Sequence, residues 1–423
     1  MADPQATAER RGPARAPFAS LAPWLLLAIA WGVAALVWAT VGAPLPGGRW
    51  TAVHLLTLGT VSTLIVAMTD HFARTLTRAP GHGARGWRLG VLTAGTVLVV
   101  VGLAQGPLWL LGVGATLAVV AVAWSQVVLA RLRRQALGDR FAGVVRAYER
   151  ACLLFVVGGI LGALLGLGLL PGAWASGARL AHLAATTLGW GLLTVLATLV
   201  FFGPTVMRTQ IEPGAEGLAA PALRWAPLAL LAAVAGLALT GLPGAWSAAA
   251  TGLAAVALAG FAVAATVICL PVLSASRRAV PSPQASMLAA SCRWLIVVVW
   301  AAVIVVLVDD PAVTEVLGVA LLLGVLAQVI VGSVSYLLPM ALGAGPRPRA
   351  RIRERLERLP RTRVWALNLG TGSLVAAVAI PAGNPVPAAP FALVGWALWA
   401  LALGATLALV GHAWGTRHRE AVA

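Results

Sequence analysis

Two histidines stand inside long apolar stretches, where an ionisable group is costly: His54 in WTAVHLLTLG and His182 in ARLAHLAATTLGW. Residues of this kind in hydrocarbon tend to mark sites. A neutral imidazole offers one ring nitrogen as a ligand and suits haem iron, copper and zinc alike. Two imidazoles at one depth on separate helices are what a bis-histidine haem or a histidine-ligated copper or zinc needs. Glu315, near the start of a third such stretch, is a candidate third ligand or hydrogen-bond partner for one of the rings. The plainer alternative is a histidine that snorkels to the interface or bonds a neighbouring carbonyl.

The elements that must position these residues are transmembrane helices. Hydrophobic residues make up 60% of the chain and charged ones 10%, against about 25% charged in soluble domains. Stretches of about 20 apolar residues suffice to cross a bilayer as helices. Such stretches run at 20–42, 50–73, 88–106, 108–130, 148–170, 178–203, 222–242, 245–273, 287–308, 313–342, 364–382 and 389–414. The fold expected is all-α, a polytopic helix bundle of about twelve spans. It comprises a tail at 1–19, a single transmembrane domain at 20–414 and a tail at 415–423. The first apolar run is longer than the ~7–15 residues of a signal-peptide core and reads as a retained helix.

The net charge of +17 is carried on arginine alone, without lysine. Its distribution accounts for it without a nucleic acid partner. Arginines fall in both tails and in alternate loops, from Arg74 and Arg85 through Arg131–Arg134 to the run Arg347–Arg363, whereas the opposite side holds only Arg49 and Arg179. The positive-inside rule then places both termini in the cytoplasm. The composition, rich in Ala, Gly, Leu and Val, suggests a GC-rich bacterial gene and the cytoplasmic (inner) membrane. The loop GAGPRPRARIRERLERLPRTR is expected to form a short basic helix against anionic lipid.

His54 lies four residues beyond Trp50 and His182 three beyond Arg179, so both are about 5–6 Å below the outer surface. His71, 17 residues after His54, is about 25 Å further down and belongs to the inner side. With Asp70 and His412 it outlines a secondary inner-side site, for which an interfacial, hydrated role is the simpler reading. Cys152, Cys269 and Cys292 are far apart in sequence and form no CxxC motif. Walker A, GxGxxG, HExxH, GxSxG and CxxCH motifs are absent.

The stretches that carry His54 and His182 look like copies: HLLTLG and HLAATTLG, each ending in an Arg-bearing exit. They are four spans apart and so run the same way, as a parallel repeat requires. The tenth span is the expected third copy, with Glu315, Gln328, Gly332, Ser333, Ser335, Tyr336 and Pro339. Three four-helix arcs would then enclose an interior lined by spans 2, 6 and 10.

The segments HLLTLGTVSTLIVAMTDHFARTLTR, HLAATTLGWGLLTVLATLVFFGPTVMRTQI and AQVIVGSVSYLLPMALGAGP, with ALNLGTG after them, resemble NnrS-type and actinobacterial copper oxidase-like membrane proteins. These are distantly similar to subunit I of haem-copper oxidases. The resemblance implies three four-helix arcs and haem b or copper held by histidines on the outer half. It also implies a role in nitric oxide, nitrite or copper metabolism, with an extracytoplasmic redox or copper protein as partner. In subunit I the second helix supplies a haem ligand and the sixth a copper ligand, which fall on His54 and His182. The chain departs from that pattern: spans 7 and 10 carry none of the ligating histidines, which disfavours terminal oxidase activity. Two other readings remain open, a secondary transporter and a non-catalytic membrane partner of an extracytoplasmic copper enzyme. A transporter would show inverted or six-span repeats and discontinuous helices.

Overall fold

The computed structural model describes residues 18–42, 44–79, 85–138, 140–308, 310–343, 345–381 and 384–422, with 413–422 as backbone alone. The expected arginines at 10, 11 and 15, together with His82 and the side chain of His418, lie outside it. A bilayer core supplies no water to backbone N–H and C=O groups, so an apolar chain crosses it as helices that satisfy themselves. The helices are α1 (Ala19–Val41), α2 (Gly48–Thr77), α3 (Arg85–Ala104), α4 (Leu108–Arg134), α5 (Ala142–Gly166), α6 (Gly172–Met207), α7 (Ala215–Gly241), α8 (Ala245–Ser276), α9 (Pro283–Val308) and α10 (Pro311–Leu342). After α11 (Pro346–Leu356) come α12 (Pro360–Ala379) and α13 (Ala389–Val422). α13 runs through the segment that hydropathy assigned to a tail.

Among the described residues eleven helices, α1 to α10 and α13, are long and apolar enough to span a bilayer. The eleventh expected span is α12, whose Arg363, Asn368 and Thr371 lower its hydropathy; its 20 residues measure about 30 Å, and it packs along α13. The chain is thus a multi-pass membrane protein, an all-α bundle in contact with lipid.

A fourfold step runs through the packing. The antiparallel pairs α3 with α4, α7 with α8 and α12 with α13 each pack along their length. In each, small residues let two backbones touch: a Cβ on Gly95 would lie 2.8 Å from the Gly114 carbonyl oxygen, one on Gly236 2.8 Å from that of Ala250, and one on Gly370 3.0 Å from that of Gly395. The helices before these pairs repeat as well. α2, α6 and α10 each widen into a π-helical stretch, at Leu55–Val61, Ala184–Leu192 and Ala320–Ala327. In the first, the hydroxyls of Thr60 and Ser62 donate to carbonyls five residues back, those of Leu55 and Thr57, at 3.4 and 2.9 Å.

Each wide turn holds a glycine under a side chain of the preceding helix in its quartet. A Cβ on Gly59 would come within 2.9 Å of the Trp31 ring, on Gly189 within 2.7 Å of Leu154, and on Gly324 within 2.7 Å of Trp294. The expected third copy of the repeat is therefore α10. The helices remain continuous through these turns, unlike the broken helices expected of a transporter. α6 and α2 are the most enclosed spans, 67% and 61% buried, and α1 and α13 the least, at 17%.

Polar side chains tie the inner helices together. The Trp190 indole on α6 donates to Ser62 Oγ on α2 at 3.0 Å, and the Tyr148 hydroxyl meets Thr198 Oγ1 at 2.9 Å. On the third quartet the Asn368 and Gln328 amides bond reciprocally at 3.2 and 3.3 Å, and the Trp294 indole donates to Asn368 Oδ1 at 2.9 Å. ALNLGTG thus joins α12 to α9 and α10.

At the arginine-rich end, α11 forms the expected basic helix and buries Ile352 and Leu356. Arg208 pairs with Glu357, Arg278 with Glu212, Arg140 with Glu216 and Arg133 with Glu149. Cys269 and Cys292, well separated in the chain, are buried within reach of each other, because α8 and α9 form an antiparallel pair.

Candidate functional site

His54 is the last residue before the wide turn of α2, and its Nδ1 lies 2.8 Å from the Trp50 carbonyl oxygen. His182 precedes the wide turn of α6 by one further residue, and its Nδ1 lies 2.7 Å from the carbonyl oxygen of Gly158 on α5. A carbonyl oxygen only accepts, so in each neutral ring Nδ1 carries the proton and Nε2 keeps its lone pair. Metal-binding histidines are commonly held in this way, the far N–H fixed by a carbonyl and the other nitrogen presented. Both rings are half-buried.

Each seat is built by the local sequence. His54 uses the carbonyl one turn earlier on its own helix and leans toward the Trp50 ring, with centroids 6.4 Å apart. His182 uses α5, where glycines open a flat face: a Cβ on Gly162 would stand 2.6 Å from His182 Cε1, and one on Gly158 2.6 Å from Thr186 Cγ2. The sequence reading missed this seat. Its signal was the Gly158-x-x-x-Gly162 spacing in VVGGILG, four residues apart on one helix face.

Glu315 is engaged by an arginine. Its carboxylate pairs with Arg49 at the rim, where both side chains are exposed, joining the starts of α10 and α2. The residue of α10 directly before its wide turn, the counterpart of His54, is Val319. Among the described residues no three His, Cys, Asp or Glu side chains gather where they could hold a metal ion. A three-ligand copper or zinc centre has no donor set there.

The residues of the secondary inner-side site are engaged separately. Asp70 is buried, and its two oxygens receive N–H bonds from Arg74 at 3.1 and 3.3 Å, Arg85 at 2.9 and 2.7 Å, and Arg88 at 2.8 Å. Arg88, the first residue of the stretch expected at 88–106, also donates to Ser125 Oγ at 3.0 Å and is fully buried. Guanidiniums thus occupy the carboxylate that a metal would need. His71 packs on Phe18, ring centroids 4.5 Å apart, and His412 is exposed on α13.

No protein-family model matches the sequence, and neither does any curated protein. Among solved structures the chain is similar to one described as a heme-copper terminal oxidase dimer, determined by cryo-EM. The match has a TM-score of 0.65 at 14% identity and covers 94% of this chain and 82% of that one. The expected relation to haem-copper oxidases is therefore met at the level of architecture: this chain shares the fold of a heme-copper terminal oxidase.

Proposed function

We propose that this protein is an integral membrane haem-binding protein of the NnrS or haem-copper-oxidase-like type, with His54 and His182 holding the group through Nε2. The observation that carries this reading is the pair of half-buried imidazoles, each with Nδ1 tied to a carbonyl, on equivalent helices of an oxidase-like bundle. Two neutral imidazoles would suit haem b, which takes histidine nitrogens as its protein ligands. Copper is the lesser candidate, because its usual histidine sites take more than two protein ligands and no third donor is gathered among the described residues. Haem, when bound, supplies an iron centre that exchanges electrons or takes a small ligand. The chain's own part is to fix the tautomers, through Trp50 and Gly158, and to seat the His182 ring on Gly162.

In this reading the arginine-rich end faces the cytoplasm of a bacterium, both termini with it. The two histidines then lie in the outer half of the inner membrane, within reach of an extracytoplasmic redox or copper protein. The work served is nitric oxide, nitrite or copper redox metabolism. Spans 7 and 10 offer no ligating histidine, so reduction of oxygen at a haem-copper pair is not part of the proposal.

The deciding experiment is an absorption spectrum with metal analysis of the purified full chain, beside His54→Ala and His182→Ala. A Soret band with iron in the wild type, lost or shifted in either variant, is the expected result. Copper without a Soret band, lost in both variants, would move the reading to copper. A colourless, metal-free wild type, or a spectrum indifferent to both substitutions, removes it.

A further inference from the structure

Below the wide turns, α2, α6 and α10 do not close on one another. They leave a cavity of about 110 Å³, walled by apolar side chains such as Val61, Ile65, Val195, Leu199, Val329 and Leu337. Its hydroxyl-bearing neighbours are Thr69, Thr194, Thr198 and Ser333, and no charged side chain lines it. Two of these hydroxyls are already committed: Thr69 donates to the Ile65 carbonyl at 2.7 Å and Thr198 to that of Thr194 at 2.7 Å. Thr194, itself buried, has a hydroxyl with no hydrogen-bond partner. Toward the arginine-rich end Phe72 and Phe202 border the cavity, their rings tilted against each other with centroids 5.1 Å apart, and they meet Phe201 and Tyr336 edge to face at 5.2 and 5.5 Å.

These walls define what fits. Without a countercharge, an ion would not be held. Water needs two to four polar partners, and apolar cavities of roughly 150 Å³ stay dry yet take up benzene or xenon. Close-packed interiors contain few voids larger than a water molecule. We infer that this cavity is a binding site for a small, uncharged, apolar molecule that reaches it from the bilayer. The hydroxyls of Thr194 and Ser333 are the lining groups free to meet an acceptor atom on it. Val61 lies seven residues beyond His54, about 10 Å down the helix, so neither imidazole lines the site and the inference stands apart from the haem reading.

The test uses xenon with the purified full chain. In xenon-pressurised crystals an anomalous peak is expected between α2, α6 and α10, bordered by Val61, Thr194 and Val329. In nanodiscs, xenon chemical shifts should saturate with pressure. Val329→Phe or Val195→Phe, whichever keeps its helicity and thermal transition, should weaken that binding at least tenfold by filling the space. The double variant His54→Ala/His182→Ala should bind xenon as the wild type does, which separates this site from the fate of the haem reading. No peak at that place, or a folded phenylalanine variant that binds xenon undiminished, would overturn the inference. Ordered water there that xenon does not displace would overturn it equally.

Discussion

Asp70 faces more positive charge than one carboxylate neutralises, and that determines how it behaves. Arg74, Arg85 and Arg88 all donate to it, and its side chain is 2% exposed. Removing one partner of a buried ion pair strands the others, at roughly 3–5 kcal/mol. Asp70→Asn should therefore lower the thermal midpoint sharply, as read by tryptophan fluorescence in detergent; an unchanged midpoint would show that the cluster adds nothing. Glu315 is the contrasting case. Its ion pair with Arg49 is exposed on both sides, at 42% and 77%, and such pairs are worth less than about 1 kcal/mol. Glu315→Gln should leave both the midpoint and any absorption spectrum as they are. A lost Soret band in that variant would return Glu315 to the site.

At the scale of elements, each inner helix is held by what the wide turn exposes and by polar bonds to its neighbours. On α10 the tie is the reciprocal amide pair of Gln328 and Asn368, with the Trp294 indole as a third member. Interhelical hydrogen bonds of this kind contribute about 0.6–2 kcal/mol in membranes, whereas one buried amide left alone costs more than two apolar replacements. Asn368→Leu should thus destabilise by about 1–2 kcal/mol, and adding Gln328→Leu should recover much of the loss. The cycle is measured by thermal or denaturant unfolding in micelles. Additive losses would show that the two amides do not act as a pair.

For the whole molecule, the uneven distribution of arginine is the strongest signal of orientation. Gln105, in the turn between α3 and α4, and Val280, between α8 and α9, are both exposed and lie at opposite ends of the bundle. Cysteines placed there should react differently with a membrane-impermeant maleimide. Gln105→Cys should label from outside intact cells and Val280→Cys only after permeabilisation. The native Cys152, Cys269 and Cys292 are buried and add little background. The reverse pattern would invert the topology and put both histidines in the inner half.

Residue order alone determined the helices, because lipid demands apolar segments of a set length and leaves backbone groups no other partner. It also placed His54 and His182 at matching depths and showed α2 and α6 as copies, since a repeat with a fixed period is visible in one dimension. Pairings across helices were not visible there. Packing brought Asp70 and Ser125 to Arg88, Glu315 to Arg49, and Cys269 to Cys292. Only the tertiary structure showed that carbonyls from Trp50 and Gly158 fix both imidazoles, or that three helices leave a space between them. Hydropathy sums over a segment, whereas a hydrogen bond or a void depends on the rotation of one helix about its axis relative to another.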